Sequence, residues 1–94
     1  MRRSYELSDK DQKRAIKEMK VLSNEVQIRI KEKVRSVLGE NPYPTGNNDV
    51  KKILGSQFWR LRVGDHRVFF DIDEEGKIVY ILSIRHRSKA YREL

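Results

Sequence analysis

The sequence predicts an α+β domain in the order β-α-α-β-β-β, a helical hairpin packed on one face of a small antiparallel-rich sheet. Three observations carry this. Apolar residues recur at three- and four-residue spacing through Ala15–Leu22 and again through Val26–Leu38, the period of two amphipathic helices. Two alternating runs, Phe58–Val63 and His66–Asp73, flank the dipeptide Gly64-Asp65, which suits a tight hairpin turn. Lys77–Arg85 is apolar on both parities, so it predicts a central strand covered on both faces.

Taken in order, Arg3–Leu7 reads as a short strand. Ser8-Asp9-Lys10-Asp11 is a variant of the capping box, with the Ser8 hydroxyl set to meet the Asp11 amide. The first helix then presents Ala15, Ile16, Met19 and Leu22 on one face. Ser23 or Asn24 interrupts it and can cap the second, whose stripe is Val26, Ile30, Val34, Val37 and Leu38, with Lys31, Lys33 and Arg35 largely off that stripe. Gly39 and the nearby Pro42 predict its end. Gly39–Asp49 is turn and loop material, and Val50–Leu54 reads as an edge strand. Glu74-Glu75-Gly76 predicts the turn between the last two strands.

Ninety-four residues make one domain, residues 1–94, without internal repeats. A chain this short buries only about two-thirds of its unfolded surface. The formal net charge of +7 points to an acidic partner: nucleic acid, an acidic protein or an anionic surface. No cysteine is present, which excludes disulfides and thiolate metal sites and fits a cytoplasmic protein. MRRSYEL has no apolar run behind its arginines and is not read as a signal peptide, and no run approaches the roughly 20 apolar residues of a membrane span.

Function is sought in Phe58–Arg67, FWRLRVGDHR, and Ser83–Arg92, SIRHRSKAYR. Successive strand side chains point to opposite faces. If Trp59, Leu61 and Val63 face the helices, with Val68, Phe70 and Ile72 on the next strand, then Arg60, Arg62, Arg67 and Phe69 face away. On the last strand Arg85 shares a parity with Val79, Ile81 and Ser83; on the open face it completes a group of four arginines. Strand arginines alone suit a solvated face with their stems over apolar neighbours. Convergence argues for a bound polyanion, because like charges held side by side repel. Helix lysines such as Lys10, Lys13, Lys17 and Lys20 are ordinary solvated charge.

Between Val79 and Arg92 no acidic residue occurs; Arg85, His86, Arg87, Lys89, Tyr91 and Arg92 concentrate there. RNA-binding candidates are His86, Arg87, Lys89, Phe69 and, on the edge strand, Lys52. Phe69 either stacks a base or packs beneath the arginine stems. The sequence presents no paired carboxylates at acid–base spacing, no metal-ligand cluster, no glycine-rich phosphate loop and no Ser-His-Asp set. Neither metal nor cofactor is expected.

In the helical hairpin, Ile53-Leu54-Gly55, the WRLRVGDHRVFF hairpin, the following I-D-E-E-G turn and the IRHRSKAY tail, the chain resembles the RelE/ParE toxin superfamily of type II toxin–antitoxin systems, and its tail resembles the RelE branch. The resemblance implies a RelE-like fold and a ribosome-dependent endoribonuclease that cuts messenger RNA in the ribosomal A site without metal and so inhibits translation. It implies catalytic positions at Arg60, Arg62, Arg67, Arg85 and Tyr91. It also implies contact with ribosomal RNA and a cognate acidic, RelB-like antitoxin. The best-known members carry lysine where Arg60 and Arg62 stand. An arginine keeps its proton, so these two are expected to orient and neutralise phosphate. Proton transfer is left to Tyr91 or His86, with His66 behind them. Two other readings stand beside this one: a ParE-like inhibitor of DNA gyrase, and a nucleic-acid-binding module without catalysis.

Overall fold

A computed structural model describes residues 5–8 and 13–90 of the chain. Its elements are β1 (Glu6–Leu7), α1 (Lys13–Lys20), α2 (Asn24–Lys33), β2 (Val50–Lys52), β3 (Trp59–Val63), β4 (His66–Asp73) and β5 (Ile78–His86). A π-helical turn, Val34–Leu38, extends α2, and a 3-10 turn, Arg87–Lys89, follows β5. The five strands form one sheet in the order β1-β5-β4-β3-β2. Only β1 runs parallel to its neighbour; β2 through β5 pair antiparallel. The expected α+β architecture is therefore the one observed, with two helices on one face of a mostly antiparallel sheet.

The second helix starts at Ser23, whose Oγ accepts from the Val26 amide at 3.3 Å. Ser23→Ala should cost about 1 kcal/mol of stability, read by urea denaturation with an unchanged slope. Ile30, Val34 and Leu38 are buried from the predicted stripe, and Val26 and Val37 pack at its edge. The helical segment ends at Leu38, yet Gly39 keeps a right-handed φ of −69°, so a left-handed glycine cap is not the device. Pro42 stops the helix instead, by disfavouring helical backbone at Asn41. Asp9, Lys10 and Asp11 of the expected capping box, and Arg3 and Ser4 of the expected first strand, lie outside the described residues.

At the β3–β4 hairpin, Gly64 takes φ +58° at the first central position, the requirement of a type II′ turn. The β4–β5 turn is one residue longer than expected, because Lys77, not Gly76, takes the positive φ. A Cβ at Gly76 would sit 2.9 Å from Asp73 Oδ2, so the Asp73 carboxylate would have to move to admit a side chain there. The core lies between the helices and the inner sheet face, where Leu61, Val63, Val68, Phe70, Val79 and Ile84 meet Ile30, Val34 and Leu38. Trp59 joins it, stacked on Phe70 with centroids 6.3 Å apart.

The parity expected for the last strand needs correction. Val68 pairs with Ile84 and Phe69 with Ser83, but Phe70 pairs with Ile81. Leu82 is the extra residue of a β-bulge, and the bulge reverses the phase. Ser83 and Arg85 thus share the face of Phe69 and Arg67, whereas Val79 and Ile81 turn to the helices. A single unbroken alternation cannot describe this strand, which is why both its parities read as apolar. The strand is also less central than expected, since β1 pairs with only Ile78 and Val79 of it.

At the opposite end of the sheet, Glu74 Oε1 accepts from the hydroxyls of Tyr5 (2.7 Å) and Tyr43 (2.6 Å), and Oε2 pairs with Lys77. These donors, Lys77 foremost, hold the Glu74 carboxyl down at about 2. The folded-state value lies below the unfolded one, so the stabilisation is present above the ordinary carboxylate range and is lost as pH falls toward 2. The melting-temperature gap between wild type and Glu74→Gln should therefore close as pH drops from about 5 to about 2; a gap independent of pH would contradict the assignment.

Candidate nucleic-acid interface

Directly paired residues on adjacent strands place their side chains on one face, with Cβ atoms about 4.5–5.5 Å apart. Arg62 pairs with Arg67, and Arg67 with Arg85. One continuous row of three arginines therefore crosses β3, β4 and β5. The next row is Lys51, Arg60, Phe69 and Ser83. Both rows lie on the face away from the buried core, so the four arginines singled out by parity share a face.

Their exposures differ. Arg62 is exposed, Arg60 and Arg67 are half-buried, and Arg85 is 7% exposed. Arg67 is held in place: Nη1 donates to the carbonyls of Gly64 and His66, both at 3.1 Å. Arg85 Nε donates to Ser83 Oγ at 3.1 Å, and its guanidinium lies 5.6 Å from the centroid of the Phe69 ring. Phe69 is itself 2% exposed. Of the two roles open to Phe69, the geometry takes the second: it is the apolar floor under a guanidinium and offers no free ring face to a base. Like charges set opposite one another cost stability, and a bound anion offsets that cost.

The acidic surroundings are sparse and engaged. Asp49 bonds Lys33 Nζ at 2.6 Å, and this bond together with the charges of Lys33 and Arg62 holds its carboxyl below the ordinary range. The carboxylate of Asp65, in the hairpin turn, faces Arg87 Nε at 3.8 Å, and the Asp65 backbone carbonyl accepts from the Arg87 amide at 2.7 Å. Among the described residues, no group of three or more His, Asp or Glu could hold a metal ion.

Other expected site residues are not brought into the rows. Lys52 pairs with Trp59 and so takes the opposite parity; its Nζ lies 5.1 Å over the Trp59 ring and donates to the Ser56 carbonyl. Its neighbour Lys51 takes the arginine side, because the edge strand alternates outward from buried Val50. His86 pairs with His66 across the sheet end, their rings edge to face at 5.5 Å. That pairing and partial burial, burial first, push the His66 imidazole below its ordinary value. His86 Nδ1 accepts from the Ser88 amide at 3.2 Å, capping the 3-10 turn. Its register parity is opposite to that of Arg85. Arg87 and Lys89 are exposed on that turn. Tyr91 and Arg92 lie outside the described residues.

Two supporting residues escape a reading by parity. Ser83 bonds Arg85, and Glu18 of α1 accepts from Ser83 Oγ at 2.9 Å and from the Ile84 amide at 2.8 Å. Only the bulge at Leu82 puts Ser83 in this position, and an isolated helix glutamate carries no signal of such a reach.

The comparisons agree with this fold. The family model for the ParE toxin of type II toxin–antitoxin systems matches residues 6–91. A protein of Methanocaldococcus jannaschii named as toxin RelE1 is 32% identical over 81 residues, spanning 85% of this chain and 89% of that protein. The RelE–RelB complex of Pyrococcus horikoshii superposes with a TM-score of 0.73 at 29% identity, covering 93% of this chain and 99% of that one. The intact toxin–antitoxin complex RelBE of E. coli gives 0.68 at 27% identity, covering 87% and 95%. The chain belongs to the RelE/ParE family of toxins of type II toxin–antitoxin systems.

Proposed function

We propose that this toxin is a ribosome-dependent, metal-independent endoribonuclease that cuts messenger RNA in the ribosomal A site. The observation that supports it best is the row Arg62–Arg67–Arg85 across three strands on one face. The chemistry such a face serves is internal transesterification. The 2′-oxygen of the message attacks the adjacent phosphorus, the bond from phosphorus to the 5′-oxygen breaks, and the products are a 2′,3′-cyclic phosphate and a 5′-hydroxyl. A proton leaves the 2′-oxygen and another reaches the departing oxygen.

Guanidinium groups contribute charge and paired donors to the equatorial phosphate oxygens, where negative charge builds. They do not move protons at neutral pH. Arg67 is the best-placed donor, being partly open to solvent with its orientation set by two carbonyls. Arg62 extends the row outward, and Arg85 supplies a cation shielded from water and therefore weakly screened. Proton transfer is assigned to Tyr91 first and His86 second. An incomplete acid–base set suits an enzyme that works only when the ribosome positions the message. Contacts to ribosomal RNA by Lys51, Arg87 and Lys89, a cytoplasmic location and an acidic RelB-like antitoxin belong to the same reading. The RelB partners in the solved complexes of related toxins support that last point.

The name of the matching family model favours a second reading, inhibition of DNA gyrase through protein contacts. One experiment separates them. Purified toxin is incubated with ribosomes stalled on a defined message, and separately with gyrase and supercoiled plasmid, and RNA ends and DNA topoisomers are mapped. Cleavage within the A-site codon, with a cyclic phosphate on the upstream fragment, is expected. Intact message alongside arrested gyrase would overturn the proposal.

A further inference from the structure

We infer that Glu18 and Ser83 are positioning residues for Arg85, forming a relay from the helical layer around the sheet edge to the arginine face. The inference rests on the nuclease reading and goes beyond it by naming residues that meet no substrate.

The relay follows from the topology. Strand β1 stops at Leu7, which pairs with Val79, so among the described residues the rest of β5 has no strand on its outer side. Helix α1 takes that place, and the Ile84 amide, which a further strand would have received, donates to Glu18 Oε1 at 2.8 Å. A helix covering an exposed strand edge is a common protective arrangement. Here the same oxygen also accepts from Ser83 Oγ at 2.9 Å. Arg14, one turn earlier on α1, faces the other carboxylate oxygen at 3.4 Å.

The direction of the bonds carries the argument. A serine hydroxyl has one hydrogen and two lone pairs. A carboxylate only accepts, so that hydrogen must point to Glu18. The lone pairs are then turned toward Arg85, whose Nε donates to Ser83 Oγ at 3.1 Å. Without an acceptor at position 18 the hydroxyl is free to rotate, and its hydrogen can meet the guanidinium it now receives. Ser83 is 1% exposed with Glu18 in place, so its hydroxyl hydrogen is held by Glu18 and not by water. The Nε bond and the Phe69 ring both orient the Arg85 guanidinium beside Arg67. Ser83 thus sets how that guanidinium faces the phosphate, and Glu18 sets Ser83.

The test is single-turnover cleavage on programmed ribosomes, with melting temperature measured on each variant. Ser83→Ala should slow cleavage about tenfold, the loss expected from one hydrogen bond that orients a charged donor. In the Arg85→Ala background it should have no further effect. Glu18→Ala should slow cleavage to a similar extent, whereas Glu18→Gln, whose carbonyl still accepts from Ser83 and Ile84, should cut near the wild-type rate. Glu18→Ala also uncaps Ile84 and will melt earlier, so the cycle between Ser83→Ala and Arg85→Ala decides the matter. A wild-type rate for Ser83→Ala, or losses that multiply in the double variant, would overturn the relay. Wild-type cleavage by Arg85→Ala alone would instead overturn the parent reading.

Discussion

Arg67→Ala and Arg85→Ala are each expected to lower the single-turnover rate of message cleavage on the ribosome by two to three orders of magnitude, or about 2.7–4 kcal/mol of barrier per fixed donor. The two arginines reach this result differently. Arg67 is half-buried and clamped over the hairpin by the Gly64 and His66 carbonyls, so its free N–H groups are already aimed when phosphate arrives. Little ordering is left to do during the reaction, and such preorganised donors contribute most. Arg85 is nearly buried, and its charge acts where water screens least. Lysine at either position restores charge without the planar fork and should recover only part of the loss. Circular dichroism of both alanine variants should show the native fold, with a lower melting temperature for Arg85→Ala because it vacates a buried site. Near-wild-type cleavage by folded Arg67→Ala and Arg85→Ala would remove the proposed site.

Phe70→Ala carries the largest expected effect on stability. Phe70 is fully buried, pairs with Trp59 and Ile81, and stacks on the Trp59 ring. Truncating a buried phenylalanine costs about 3–5 kcal/mol. Domains of this size hold roughly 5–15 kcal/mol in total. The melting temperature should therefore fall by at least about 12 °C, given about 4–8 °C per kcal/mol for a domain of this size. A fall under about 4 °C would mean that this side of the core is loosely packed. Residue 70 differs from residue 69 by one position and by function. Phe70 holds the helices to the sheet, while Phe69, on the opposite face, supports a guanidinium.

The fold was largely legible because its signals are local. Helical stripes ending in Leu22 and Leu38, a two-residue turn at Gly64-Asp65 and alternation through Trp59–Val63 each report on neighbours in sequence. The arginine row was legible for the same reason on β3 and β4, where alternation runs unbroken. On β5 it was not, because a bulge at Leu82 reverses the phase and nothing in a run of Ile, Leu, Val and Tyr marks where. The sequence does not distinguish Lys52 from Lys51, because an edge strand of three residues has no parity until its register with β3 is known. The contribution of Glu18 to the far face was beyond reach for a different reason. It depends on β1 being too short to cover β5, a fact about three-dimensional packing with no counterpart in helix periodicity.

The scissile phosphate is expected to sit on the row Arg62–Arg67–Arg85. This placement is tested most directly by the structure of the toxin on a ribosome whose A-site message carries 2′-methoxy nucleotides and cannot be cut. The phosphate should lie on the sheet face away from α1 and α2, with a non-bridging oxygen within about 3 Å of the Arg67 guanidinium. A message lying against the helices, or a toxin bound with its arginine row turned away from the RNA, would contradict it.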